Sequence, residues 1–191
     1  MNAKEKMLNQ EFYIPWDKEL TDDRERAKDL LFELNKIAPS KREERNHIIQ
    51  KLIPFIGENP WIESPFNCDY GYNMTIGNSF YANTNCTILD CAKVTIGNDV
   101  LFGPNVSLYT PNHAFDAGER KMGYERSLPI TIGDNVWLGG SVTIVGGVTI
   151  GDNTIIGAGS VVTKDIPANV IAAGVPCKVI RPITDEDKLG L

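Results

Sequence analysis

The chain has 191 residues, enough for one domain with an appendage, and 42% of them are hydrophobic, the share of a globular protein. Its formal net charge of −6 argues against general nucleic-acid binding, so an anionic ligand would have to meet a local basic patch. No apolar run approaches a membrane span, the opening residues Met1-Asn2-Ala3-Lys4-Glu5-Lys6 lead into polar sequence, and four cysteines (Cys68, Cys86, Cys91, Cys177) without a C-x-x-C pair read as reduced packing thiols; a cytoplasmic protein is expected.

Residues 17–59 read as helical. Thr21-Asp22-Asp23 offers a cap and two acids to a helix start, and Ala27, Leu30, Leu31, Leu34 and Ile37 follow as an amphipathic stripe. Pro39 ends that helix. Ser40-Lys41-Arg42-Glu43 has the pattern of a capping box for a second one, with Ile48, Ile49, Leu52, Ile53 and Ile56 on its apolar face and Gly57 at its end. Both helices need a surface to cover, and the edge of a sheet is the nearest candidate.

From Thr75 the period changes. Ile76, Ala82 and Ile88 are six apart; the phase slips by two; Ile96, Phe102 and Leu108 resume it. After an interruption the register runs unbroken through Ile132, Leu138, Ile144, Ile150, Ile156 and Val162, each with a partner two residues earlier: Ile130, Val136, Val142, Val148, Thr154 and Ser160. Side chains two apart share one face of a strand, and the Gly- and Asn-rich triplets between the pairs suit corners. Such a hexad is the mark of a parallel β-helix, in which three short faces close a coil of about 18 residues and stability comes from stacking. The interruption, 109–128 (YTPNHAFDAGERKMGYERSL), is polar and carries His113, one of two histidines. A long loop inside a packed repeat points to function.

Several segments resemble the maltose/galactoside O-acetyltransferase family: the helical head, NCDYGYN from Asn67, FYAN from Phe80, PNHAFD around His113, PITIGDNVWLGG from Pro129, and GAGSVVTKDIPANVIAAGVPCKVIR ending at Arg181. The resemblance covers nearly the whole chain. It implies a left-handed parallel β-helix of hexapeptide repeats, an exception to the right-handed crossover rule. It also implies acetyl-CoA as co-substrate without a metal, and a homotrimer with active sites between subunits. The expected organisation is a helical segment over 1–59, a β-helix over 60–183 with the excursion at 109–128, and a tail over 184–191.

Acetyl transfer from a thioester to a hydroxyl needs a base for the hydroxyl proton and an acid for the leaving thiolate, and one imidazole can serve as both. His113 matches the family's catalytic histidine; His47 reads as an ordinary helix residue. Asn83 matches a position near the transition state, where its amide would donate to the oxyanion or hold the sugar. Asp69 is a candidate sugar ligand, because carboxylates accept from paired hydroxyls. Asp90 and Cys91 stand where the family lines its acceptor pocket, and galactoside-acting relatives tend to carry Asp at the position of Cys91. Tyr81 and Trp137 offer flat apolar surface to a sugar or to the pantetheine arm. For CoA, small residues including Gly140 and Ala158 would let its arm approach the backbone, while Thr163, Lys164, Lys178 and Arg181 would meet the phosphates.

The function expected is direct acetylation of a sugar hydroxyl (maltose/glucose or galactoside type), with serine, a lipo-oligosaccharide or an antibiotic as alternative acceptors. A γ-type carbonic anhydrase would need three histidines on zinc, and a non-catalytic scaffold would need neither the excursion nor the late basic cluster.

Overall fold

The inward pairs of the hexads are buried as the period predicts: Ile130, Ile132, Val136, Leu138, Val142, Ile144, Val148 and Ile150 are all at most 3% exposed. The computed structural model describes residues 1–190; Leu191, the end of the expected tail, lies outside the described residues. Parallel pairing stacks the short strands into three sheets, the faces of a prism. The first face holds Phe55–Ile56, Met74–Ile76, Val94–Ile96, Ile130–Ile132 and Thr149–Ile150. The second holds Trp61–Ile62, Tyr81–Ala82, Leu101–Phe102, Trp137–Leu138, Ile155–Ile156 and Val170–Gly174, the last paired antiparallel with Cys177–Pro182. The third holds Phe66–Cys68, Cys86–Leu89, Ser107–Tyr109, Thr143–Val145 and Val161–Val162.

Register gives the length of each coil. Thr75 pairs with Thr95, Thr95 with Thr131, and Thr131 with Thr149, steps of 20, 36 and 18 residues. The later coil has the ideal length. The early coil carries the two extra residues of the phase slip, and the excursion adds a further coil's worth of chain. All the additions fall on one edge, between the third and first faces. The buried polar members of the repeat are bonded: Thr154 Oγ1 donates to Pro167 O at 3.0 Å, and Ser160 Oγ accepts from Gly174 N at 3.0 Å. Within a corner such as Gly133-Asp134-Asn135, it is Asn135 that takes the positive φ of 56°. Gly133 is required for another reason, since a Cβ there would run into Asp152 of the next coil.

The head departs from its sequence reading in detail. A short helix α1 (Ala3–Leu8), closed by a capping box between Asn2 and Glu5, precedes the expected pair. Helix α2 (Lys18–Lys36) starts one turn before Thr21, because Asp17 caps it by accepting from Glu19 N at 3.0 Å. Helix α3 (Arg42–Leu52) is preceded by Lys41 with no side-chain cap, so the expected capping box at Ser40 does not form. It also ends before Ile53, leaving Ile56 to the first strand; coiling thus begins twenty residues before Thr75. The helices do cover the open end of the prism. Asn35 of α2 bonds both backbone groups of Phe66, and the buried Arg45 of α3 donates to Ile62 O and Leu34 O. First-coil groups that would otherwise lack partners are satisfied in this way.

Candidate active site

The excursion is rooted before it is shaped. Thr110 Oγ1 donates to Leu89 O and accepts from Ala92 N, tying the loop's start to the coil beneath, and Leu128 N closes the root onto Thr110 O at 2.9 Å. Gly146 sits against this root, and a Cβ there would lie 2.6 Å from Thr110 O. Beyond it, Pro111–His113 pairs antiparallel with Glu125–Ser127, and the tip carries a one-turn helix α4 (Ala117–Lys121) capped by Asp116. The loop expected from sequence is therefore an ordered hairpin.

Its register sets His113 opposite Glu125. Residues directly opposite on antiparallel strands project to the same side, and His113 Nδ1 lies 3.7 Å from Glu125 Oε1. The imidazole is 59% exposed whereas the carboxylate behind it is 14% exposed, so Nδ1 faces the protein's carboxylate and the ring faces solvent. A depression of about 200 Å³ opens beside it, lined by Phe12, Asn112, Phe115, Arg126 and Leu128. Neither Glu125 nor its partner Tyr13, whose hydroxyl donates to Oε2 at 3.1 Å, was singled out by sequence. Glu125 had a weak signal, as an acid in the returning limb of the excursion. Tyr13 had none, being 112 residues away in the chain.

The three expected acceptor residues nearest this edge are drawn together, and one of them changes its role. Asp69 is half-buried and its Oδ2 accepts from Cys91 Sγ at 3.3 Å. Burial pushes the Asp69 carboxyl up, with the Cys91 thiol opposing the shift; burial likewise pushes the Cys91 thiol up. Asp90 is 0% exposed, and its carboxylate accepts from the backbone N–H groups of Asp69, Tyr70 and Gly71 at 3.1, 2.8 and 2.7 Å. It staples the enlarged corner, a structural task that its reading as a pocket-lining residue did not include. Both of its buried oxygens are hydrogen-bonded.

The other expected residues lie on different parts of the prism. Asn83, Gly103, Gly139 and Gly157 occupy equivalent places on successive coils, at the corner between the second and third faces: each N–H donates to the next coil, to Phe102 O, Leu138 O, Ile156 O and Ala172 O. Asn83 Oδ1 accepts from Thr84 N at 2.8 Å. Gly140 and Ala158 are the next residues along the same edge, which is thereby paved with small side chains. Tyr81 and Trp137 belong to the outward row of the second face, separated by Leu101, and Trp137 is 51% exposed. Thr163 and Lys164 are exposed on the corner between the third and first faces, the edge that bears the excursion. Lys178 and Arg181 lie on the final hairpin, where Arg181 is held by Asp187 through bonds of 2.7 and 2.6 Å. Within one chain, then, His113 and Lys164 share one edge, while Asn83, Gly140 and Ala158 share another. Among the described residues no cluster of three His, Cys, Asp or Glu side chains is placed to ligate a metal ion.

Comparison with known proteins agrees with this architecture. Residues 6–57 match the maltose acetyltransferase hexapeptide capping motif, and residues 129–164 match the bacterial transferase hexapeptide of six repeats. The chain is 53% identical to the galactoside O-acetyltransferase of Escherichia coli (strain K12), over 88% of this chain and 83% of that one. A maltose O-acetyltransferase from Clostridium difficile 630 superposes with a TM-score of 0.95 at 46% identity, covering 97% of this chain and 99% of that one. A galactoside acetyltransferase in complex with coenzyme A superposes equally well, with a TM-score of 0.95 at 49% identity over 98% of this chain and 94% of that one. The fold is the left-handed parallel β-helix that the resemblance implied, and the chain belongs to the maltose/galactoside O-acetyltransferase family of hexapeptide-repeat acyltransferases.

Proposed function

We propose that this protein transfers an acetyl group from acetyl-CoA directly to a hydroxyl of a sugar, in the cytoplasm, with His113 as general base. The observation that carries the reading is the placement of His113. It is exposed on a hairpin rooted in the prism, with a half-buried carboxylate behind Nδ1. At 3.7 Å the carboxylate stands just beyond hydrogen-bond length from Nδ1; closing that gap as substrate binds would let Nδ1–H donate to it and leave Nε2 to accept the proton, the arrangement a general base requires. In the proposed reaction Nε2 takes the acceptor's hydroxyl proton as its oxygen attacks the thioester carbonyl. The tetrahedral intermediate is held by backbone N–H groups and Asn83. The imidazolium then returns the proton to the CoA sulfur as the C–S bond breaks. The cysteines give a reason to favour direct transfer. All four are buried, and burial pushes each thiol up, Cys86 to about 12, so none offers a thiolate to carry the acetyl group.

The division of the site between two edges favours a homotrimer. A repeated contact between unlike surfaces closes into a ring of three when each copy is turned by a third of a circle from the last. If the His113 edge of one copy meets the Asn83 edge of the next, base, oxyanion donor and the small-residue path for pantetheine come together. Thr163, Lys164, Lys178 and Arg181 are then available to the phosphates of CoA. Asp69 and Cys91, beside Glu125, face the acceptor's side. The substrate class is tested by following thiol release from acetyl-CoA with maltose, glucose, a galactoside, serine and chloramphenicol. Acceptor-dependent release with a sugar is expected. Release that occurs only with serine or chloramphenicol would overturn the sugar assignment.

A further inference from the structure

The N-terminal segment joins the edge of the hairpin through a bridge at Tyr13. Tyr13 N donates to Glu125 O at 2.9 Å and Glu125 N to Tyr13 O at 3.0 Å, so Tyr13, Glu125 and His113 form one cross-strand row. The attachment extends on both sides: Arg126 Nε donates to Gln10 O at 2.8 Å, and Trp16 packs on Gly123, where a Cβ would lie 2.6 Å from its ring. Tyr13 is 2% exposed, in a cluster with Met7, Leu20, Tyr70 and Cys91 that is separate from the prism core. A buried hydroxyl needs partners, and this one reaches two, donating to Glu125 Oε2 at 3.1 Å beside Ser127 Oγ at 3.3 Å. The bond to Oε2 leaves Oε1 as the oxygen that faces His113 Nδ1. Burial pushes the Tyr13 phenol far up, which keeps it a donor wherever the enzyme works.

We infer that Tyr13 is a positioning residue for the acetyl transfer: through its bond to Glu125 it fixes the carboxylate that orients the His113 imidazole. The helical head is thereby part of the catalytic apparatus as well as a cover for the prism's end. The inference rests on His113 being the base. It places the cost of losing the Tyr13 hydroxyl in turnover, because orientation of the base matters while the proton moves and not while acetyl-CoA binds.

The test is a double-mutant cycle on thiol release from acetyl-CoA, using whichever of maltose, glucose or a galactoside reacts fastest. Tyr13→Phe keeps the buried ring and removes only the hydroxyl. It should lower kcat about 10-fold or more, with KM for acetyl-CoA unchanged and the thermal midpoint lowered by no more than a few degrees. In a Glu125→Ala background the same substitution should cost almost nothing further, since its route to His113 is already gone. Full kcat in Tyr13→Phe, or an equal loss with and without Glu125, would overturn the inference while leaving the base in place. His113→Ala with undiminished turnover would overturn both.

Discussion

Asp90 and Glu125 are carboxylates on the same edge of the prism, and their surroundings give them different work. Asp90 is sealed by three backbone N–H groups, whereas Glu125 has an oxygen to spare for His113. Burial pushes Asp90 up to about 6 from its ordinary 3.8, against the pull of the N–H bonds. A carboxyl raised in the folded chain holds its proton more tightly there than when unfolded. Its contribution to stability is therefore complete below its ordinary pKa and is lost as pH rises from about 4 through 6. Asp90→Asn cannot ionise, and its amide nitrogen cannot accept from Gly71 N. The variant should be less stable than the parent, by a gap that narrows as pH rises from about 4 to 7 in urea unfolding. A gap that widened over that range would contradict this account of the corner.

The repeat was legible because it is local. Ile132 through Val162 keep a six-residue phase, since each must fill the same narrow interior, and every one is at most 1% exposed. Ile144→Ala should accordingly destabilise the protein by about 2–5 kcal/mol, as emptying a closed core does. Thermal unfolding of the variant checks this, and an unchanged midpoint would mean that the coils can collapse around the gap. The head was less legible, because Asp17 and Thr21 are both capping residue types, and the turn between them joins the helix with Asp17 bonded to Glu19 N and Leu20 buried. The apolar run through Ile56 fits a helix face or a first strand equally well until the prism is present to pair with it. In the site, His113 stood out as a lone histidine in an interrupted repeat. The placement of Glu125 beside it depends on where the hairpin turns, and the bond from Tyr13 joins residues more than a hundred positions apart. Neither leaves a periodic trace.

The whole molecule is a prism of stacked coils, and the proposed site is assembled from its edges. Coils stacked through backbone bonds hold Asn83, Gly140 and Ala158 at fixed intervals along one edge, and the same coils hold the root of the excursion on another. Catalytic groups placed on such a frame need little adjustment when substrate arrives. The account turns on the imidazole that the excursion presents. The most direct measurement is kcat of His113→Ala at saturating acetyl-CoA and acceptor, with acetyl-CoA affinity and thermal midpoint measured on the same protein. Loss of a positioned general base predicts a fall of roughly 10²–10⁴-fold in kcat with affinity and midpoint nearly unchanged; a variant that keeps most of its turnover would contradict the account.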